Sequence, residues 1–434
     1  MEGLQELAKE MFEKEQQFRQ VSSPIDLINI SASPSEDMSY GVVEIHNRNL
    51  VAALDGEATL KVVRILREDN EILNISRDLF MEIFQLFEIE AYILYLISRN
   101  SYGFHRFEAT KSSSNDSLSS FFLGTVLYVL IWSFNPRSLK TRAMLLTRRS
   151  SGLHNDKETF RQFQNILRFY KYYVYTPGLL AFVAGAHIIQ FVDEYILLEL
   201  RLIRSIEAGT GHGTWRSELP RVHGLVVRDE LTRKSDDITQ ITRSSGMVGG
   251  CLVDLANNSR HVEIASSLLA FLLEKIDSSH LAQDFDRRNY DASAKALQLL
   301  VPTLQGQIKS AKSYIRYLQE RARNQSSVLF GLLTHEDAIA NIKLADASKQ
   351  LAQSMKKDSS AMKTVAIMTM AFLPATFFAA LFAVPSLQWD KPGVVQDKFW
   401  IYWAFTLPST AFVFIAWFLI TNWESITSGK NGRE

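Results

Sequence analysis

The chain has 434 residues, 47 basic and 47 acidic side chains, a formal net charge of zero and 47% hydrophobic residues. That balance leaves no global field to recruit nucleic acid, which is not an expected partner. A single cysteine, Cys251, excludes a disulfide framework and a multi-thiolate metal site within one chain.

The N-terminal MEGLQELAKEMFEKEQQFRQ is charged and acidic. It has no apolar core of the signal-peptide kind and is not an Arg-rich, acid-poor transit sequence, so the soluble part is expected on the cytosolic side. It predicts a helix, followed by the Ser/Pro-rich SSPIDLINISASPSED, and residues 1–40 read as a lead-in. From residue 41 to 256 strand and helix patterns mix. Residues 60–66, LKVVRIL, predict a short apolar strand, and Ser76 predicts a helix N-cap, with Ile75 and Phe80 as its hydrophobic staple, the helix running to about Phe87. Residues 91–98 and 121–134 are rich in β-branched and aromatic side chains and read as buried strands, while 112–120 reads as a polar loop. Helical patterns recur over 156–170 and 188–206, which is the grammar of an α/β domain. Residues 117–136 and 172–192 carry no charge over 20 and 21 positions, yet strand-type residues in the first and Pro177, Gly178, Gly185, His187 and Gln190 in the second make both read as soluble core.

Beyond residue 257 the pattern is helical. Leu268, Leu272 and Ile276, then Leu304, Ile308, Ala311, Ile315 and Leu318, fall at three- and four-residue steps. Residues 257–363 read as a helical stalk. No proline interrupts the run from Ser327 until Pro374, so one helix is expected over residues 327–387, about 90 Å long at ~1.5 Å per residue. Its end lies in 26 uncharged residues, 364–389; after nine residues another 25 follow, 399–423. Each exceeds the roughly 20 residues that cross a bilayer as a helix. Trp389 closes the first run, and Phe399, Trp400, Trp417 and Trp423 bracket the second, as interfacial aromatics do. The expectation is a C-terminal hairpin: span 364–387, outer loop 388–398, span 399–423 and tail 424–434. Lys349, Lys356, Lys357 and Lys363 before it, with Lys430 and Arg433 after it, outweigh Lys391 and Lys398 between, and favour both termini in the cytoplasm. The plasma membrane is the favoured location, an internal membrane the alternative. The loop aspartates Asp390 and Asp397 suit either an outer cation-attracting ring or the solubility of a tight turn at Pro392-Gly393.

At 100° per residue, one face of the long helix collects Leu344, Leu351, Met355, Met362, Thr369, Leu373, Thr376 and Ala380. The stripe keeps its side from the cytosolic into the membrane segment. A ring of identical helices around an axis explains that constancy, as either a pore lining or a coiled-coil seam. Ala371, Ala375, Ala379 and Ala383, four apart, let backbones approach in lipid, either between subunits or between the two spans of one chain. Thr369 and Thr376 offer hydroxyls and no charge, which suits an ion that keeps its water shell. Leu373 between them suits a hydrophobic constriction that gates by dewetting. Pro374 and Pro408 free the carbonyls of Met370 and Ala404.

Residues 358–382, DSSAMKTVAIMTMAFLPATFFAALF, resemble the start of the first span in CorA-type metal-ion transporters, most closely the divergent fungal CorA-like or ZntB-like branch. Residues 325–337, QSSVLFGLLTHED, also resemble that branch, as does, more weakly, a block ending in Glu207-Ala-Gly-Thr-Gly-His-Gly213. The likeness is specific over 300–423 and faint over the N-terminal region. It implies an α/β cytosolic domain, a long stalk helix and a two-helix transmembrane hairpin, assembled as a homopentamer in the bilayer. It implies electrophoretic uptake of hydrated divalent cations, magnesium or a transition metal, gated by cytosolic metal, with no tightly bound cofactor. Carried over, the pore line includes Met362, Leu373 and Thr376 and agrees with the projected stripe, which adds Met355, Thr369 and Ala380. Where the family has a Gly-Met-Asn signature, this chain has Ala383-Val384-Pro385; proline offers neither a side-chain amide nor a backbone donor. The alternative function is therefore a non-conducting membrane sensor or scaffold of the same assembly.

His335, Glu336 and Asp337, with Asp346, suit either a regulatory metal site between subunits or a solvated helix face. Gly209-Thr-Gly-His-Gly213 reads as helix termination rather than a phosphate loop, because no strand precedes it and no Gly-Lys-Ser follows. The sequons at Asn29, Asn74, Asn115, Asn257 and Asn324 fall in the expected cytosolic part. No arrangement argues for hydrolytic or redox catalysis, and the chain is not expected to be an enzyme.

Overall fold

The computed structural model describes residues 2–19, 24–32, 38–68, 72–108, 118–149, 156–213, 238–274, 284–383 and 399–428. It divides into two units, Met1–Leu333 and Thr334–Glu434.

The first unit is built on a seven-stranded mixed sheet. Its strands are β1 (Ile25–Ala32), β2 (Met38–Ile45), β3 (Leu60–Arg67), β4 (Gly103–Glu108), β5 (Ser119–Gly124), β6 (Tyr128–Asn135) and β7 (Lys140–Arg148), in the order β2-β1-β3-β7-β6-β5-β4. Only β3 and β7 pair in parallel; the other neighbours are antiparallel. Helices α1 (Glu2–Glu15), α2 (Asn47–Leu54), α3 (Arg77–Leu86) and α4 (Tyr92–Ser98) cover one face. Helices α5 (Asp156–Phe169), α6 (Gly178–Thr210), α7 (Ile238–Leu273) and the first part of α8 (Asp284–Phe382) cover the other. Burial on both faces explains why the inner strands read as continuous apolar runs. In β6, Tyr128, Leu130, Trp132 and Phe134 enter one core while Val129 and Ile131 enter the other. Truncating Trp132, which has no exposed surface, to alanine would cost about 3–5 kcal/mol.

Several expectations hold. Residues 60–66 lie in β3, residues 156–169 form α5, and Ser76 caps α3 by accepting from the Leu79 N–H at 3.4 Å. Ile75 and Phe80 are both fully buried beside that cap. Leu268, Leu272, Ile308, Ala311, Ile315 and Leu318 are buried as their spacing indicates, whereas Ile276 lies outside the described residues.

Others are corrected. Within 91–98, Tyr92–Ser98 form helix α4, not a strand; Ile93, Leu94, Leu96 and Ile97 are buried and Tyr92, Tyr95 and Ser98 half-buried, a helical period too short to separate from a strand, and Asn100 follows in the left-handed region at φ 48°. The 121–134 run is two strands, β5 and β6, with Thr125 turning between them through Oγ1 to the Tyr128 carbonyl at 2.8 Å. Gly124 permits that turn, because a Cβ there would lie 1.8 Å from the Ser101 carbonyl oxygen. The supposed lead-in contributes β1, an inner strand with Leu27, Ile28 and Ile30 fully buried, and α1, which inserts Phe12 into the core. The helix expected at 188–206 begins at Gly178 and ends at Gly211, whose φ of 68° gives the left-handed cap; Gly209–Gly213 is thus a helix terminus. Most of the expected polar loop at 112–120 lies outside the described residues.

Among the described residues three helices are long and apolar enough to cross a membrane by length and composition: α6, α8 and α9 (Phe399–Ser428). They differ in their surroundings. The most apolar window of α6 is 78% buried inside the protein, while those of α8 and α9 are 6% buried. The water-excluding neighbours of α6 are therefore α5, α7 and the sheet, as its reading as core requires.

Candidate functional site

In the second unit α8 and α9 pack along one side of α8. Pro374 is buried there, and Ala371, Ala375 and Phe378 are half-buried. The Tyr402 hydroxyl donates to the Ala375 carbonyl at 3.3 Å, and the Phe378 and Phe405 rings sit 6.0 Å apart. Thr406 is buried on α9, and Thr410 Oγ1 donates to its carbonyl at 2.7 Å. The alanine line winds off this contact: Ala371 and Ala375 are half-buried, Ala379 and Ala383 exposed. Its first half therefore packs the two helices of one chain.

The stripe lies on the other side. At about 100° per residue, Met355, Met362, Thr369, Leu373, Thr376 and Ala380 stand roughly 150–170° from the centre of the α9 contact. All six are exposed, Met362 at 71% and Leu373 at 67%, and Leu344 and Leu351 continue the exposed line. Val365, Met368, Thr369, Phe372, Leu373 and Thr376 together line a shallow apolar groove on the helix surface. Phe372 flanks Leu373 in this groove and is 66% exposed.

The two threonines are not free donors. Thr369 Oγ1 donates within its own helix to the Val365 and Ala366 carbonyls, both 3.0 Å away. Thr376 Oγ1 does the same with Phe372 and Leu373, at 2.9 and 3.0 Å. With the proton turned inward, each hydroxyl offers outward only its acceptor lone pairs. A chain of this kind presents one wall, apolar with two acceptor points and no formal charge.

His335, Asp337 and Asp346 are exposed and Glu336 half-buried, all on α8. Consecutive helical positions point to different sides, and among the described residues no group of three or more His, Cys, Asp or Glu is placed to hold a metal ion within one chain. Ala383 donates its N–H to the Ala379 carbonyl at 3.1 Å and is exposed. Val384, Pro385, Asp390 and Asp397 lie outside the described residues.

Two sequence blocks singled out above meet in the first unit. Arg321 on α8 grips Glu207 on α6 with both ends of its guanidinium, Nε to Oε1 at 3.0 Å and Nη2 to Oε2 at 2.5 Å. The two side chains are only 10% and 7% exposed. Thr210 Oγ1 donates to Gln325 Oε1 at 2.9 Å, and Gln325 Nε2 donates to the His212 carbonyl at 2.6 Å. The pairing of Glu207 with Arg321 does not stand out in the sequence, because 114 residues separate them. The only local sign is the glycine pair that lets the chain fold back: a Cβ on Gly213 would lie 2.7 Å from that of Glu207.

A polar seam also runs between α6 and α7. Glu199 is buried near Cys251; burial first, and Asp254 next to it, hold its carboxyl above its usual range. Burial likewise pushes the Cys251 thiol up, so it is an inert thiol rather than a nucleophile. His261 accepts the Val126 N–H on Nε2 at 3.3 Å, packs edge-on against Phe191, and burial lowers it to about 4. Farther along, His187 lies between Tyr128 Oη and Gln162 Oε1 at 3.2 and 3.3 Å.

No protein-family model matches the chain. It is 41% identical over 68 residues to the notoamide biosynthesis cluster protein M′ of Aspergillus versicolor, a match covering 14% of this chain and 15% of that relative. The chain thus aligns with less than a sixth of the length of that curated relative.

Proposed function

We propose that the chain is a subunit of a CorA-type homo-oligomer, a pentamer by the resemblance, that passes hydrated divalent metal cations along its axis and down the membrane potential. One observation carries the reading: α9 packs on the side of α8 away from the Met355–Ala380 stripe, leaving that stripe exposed in a single chain. An exposed helix face that keeps one side through two solvents calls for copies of itself. In a ring of such helices Thr369 and Thr376 would turn acceptor oxygens to the axis. A hydrated cation points its water protons outward, and neutral acceptors can take those protons without stripping the shell, which small divalent ions release reluctantly. Leu373 would form the dry constriction. Both termini belong to the cytoplasmic side on the charge asymmetry, with the plasma membrane favoured.

The second reading, a non-conducting scaffold or sensor of the same assembly, is favoured by Ala383-Val384-Pro385 standing where the resemblance would place a Gly-Met-Asn ring. Uptake of magnesium and of a transition metal into vesicles carrying the purified protein, under an imposed inside-negative potential, decides between them. The transport reading expects saturable, potential-driven uptake. A verified oligomer that leaves both ions outside supports the scaffold.

A further inference from the structure

The Glu207–Arg321 pair has the form of a latch rather than a surface tie. Both charges are withdrawn from water, both carboxylate oxygens are engaged, and the Tyr317 ring lies 5.3 Å from the guanidinium with its hydroxyl 3.4 Å from Nη1. A half-open state would leave a lone buried charge, so the pair opens only if the α6 terminus and α8 part together. The turn after α6 closes over it: Gly211 reverses the chain, Gly213 lies against Glu207, and Gln325 holds Thr210 and His212. Beside it lies a cleft of about 500 Å³, bounded by Gly209 and Thr210 of α6, Arg243 and Met247 of α7, and Leu329 and Leu332 of α8. At about 100° per residue Arg321, Gln325, Leu329 and Leu332 fall within 80° on one face of α8, so the latch and the cleft follow one another along the same seam against α6.

We infer that Glu207 and Arg321 form a two-state joint, closed when paired and open when the α6 terminus and α8 separate, by which the α/β domain holds or releases the helix that continues into the hairpin. The joint stands on geometry alone; its role as a gate rests on the transport reading. The test uses the full chain in lipid nanodiscs and three variants: Glu207→Gln, Thr210→Val, which removes the hydroxyl that bonds Gln325 and the Glu207 carbonyl, and the apolar pair Glu207→Leu with Arg321→Leu. Amide hydrogen exchange is followed over residues 204–213 and 315–332, with β6 as the internal control. Glu207→Gln should raise exchange in both segments together by at least tenfold, Thr210→Val by less in the same two segments, and the apolar pair should restore protection, all with β6 unchanged. Exchange that rises in one segment only, or equally in β6, overturns the joint. Vesicle flux is read in parallel: Glu207→Gln should change basal cation uptake severalfold, and the apolar pair should not reproduce that change. Coupled exchange in a wild-type protein that conducts nothing keeps the joint and removes the transport reading. Wild-type flux unmoved by Glu207→Gln removes the gating role.

Discussion

The Tyr402 hydroxyl on α9 donates to the main-chain carbonyl of Ala375 on α8 at 3.3 Å. Ala375 follows Pro374, so α9 is seated beside the proline, about one turn beyond the Met370 carbonyl whose partner the proline removes. That placement fixes which side of α8 is spent within the chain, and hence that Leu373 looks away from α9. Tyr402→Phe should cost about 0.6–1 kcal/mol.

Leu373 tests the axial assignment most directly. If five copies converge, Leu373→Ala should raise basal cation leak severalfold and Leu373→Trp should abolish flux, both measured in vesicles. Phe372 flanks Leu373 in the same exposed groove, yet turned about 100° from it, so Phe372→Leu should leave flux within about twofold. Unchanged flux in Leu373→Ala together with altered flux in Phe372→Leu would place the axis on the other flank of the groove.

The same stripe predicts association. Met362 is exposed on it and the native Cys251 is buried in the first unit, so Met362→Cys should cross-link copies of the chain under mild oxidation, and wild type should not. Mass measurement in mild detergent should give a multiple of the 49.4 kDa chain, five as expected. A strictly monomeric mass would leave the exposed stripe without its partner and sink the pore.

How much of this was readable from residues differs by element, for physical reasons. Ser76 announced its helix because a cap is a local event: one hydroxyl, one N–H three residues on, and a staple around it. Residues 91–98 misled because the half-buried side of this two-turn helix is made largely of tyrosines, Tyr92 and Tyr95, which read as strand residues as readily as the buried Ile and Leu do. The 25–32 strand hid in a Ser/Pro-rich setting, although Ile25, Leu27, Ile28 and Ile30 carry its burial. The stripe on α8 was drawn from a 3.6-residue period and lies away from the α9 contact, while the face that receives α9 was not legible. Ala371 and Ala375 advertise close packing without naming the partner. The Glu207–Arg321 joint was beyond reach, since ordinary Glu and Arg residues on two helices become a buried pair only once those helices are apposed.

Topology can be checked without any flux. Gln396 belongs to the expected outer loop and lies outside the described residues; Ser354 is exposed on α8 before the first span. In intact cells an impermeant thiol reagent should label Gln396→Cys and spare Ser354→Cys, and permeabilisation should expose both. Labelling of Ser354→Cys alone would invert the hairpin.

The last prediction concerns acid. His261 is 3% exposed and held neutral, because burial lowers its pKa from 6.5 to about 4 and its Nε2 is committed to accepting the Val126 N–H. The unfolded chain therefore binds a proton near pH 6.5 that the folded chain refuses until about pH 4. In that window the unfolded state holds more protons, so stability falls as pH is lowered through it, by up to about 3 kcal/mol from this group. Glu199 acts with the opposite sign: its raised carboxyl lets the folded state keep a proton as pH climbs above its ordinary range, so its ionisation costs stability on the alkaline side. Thermal unfolding of the detergent-purified protein, taken from pH 7.5 down to 4.5, should show Tm falling below pH 6.5. His261→Gln should flatten that acid limb, while losing about 1 kcal/mol at pH 7.5 through its altered bond to Val126. Glu199→Gln should leave the acid limb in place and raise Tm at pH 7.5 and above. An acid limb of the same steepness in His261→Gln would show that the seam between α6 and α7 is not where the proton acts.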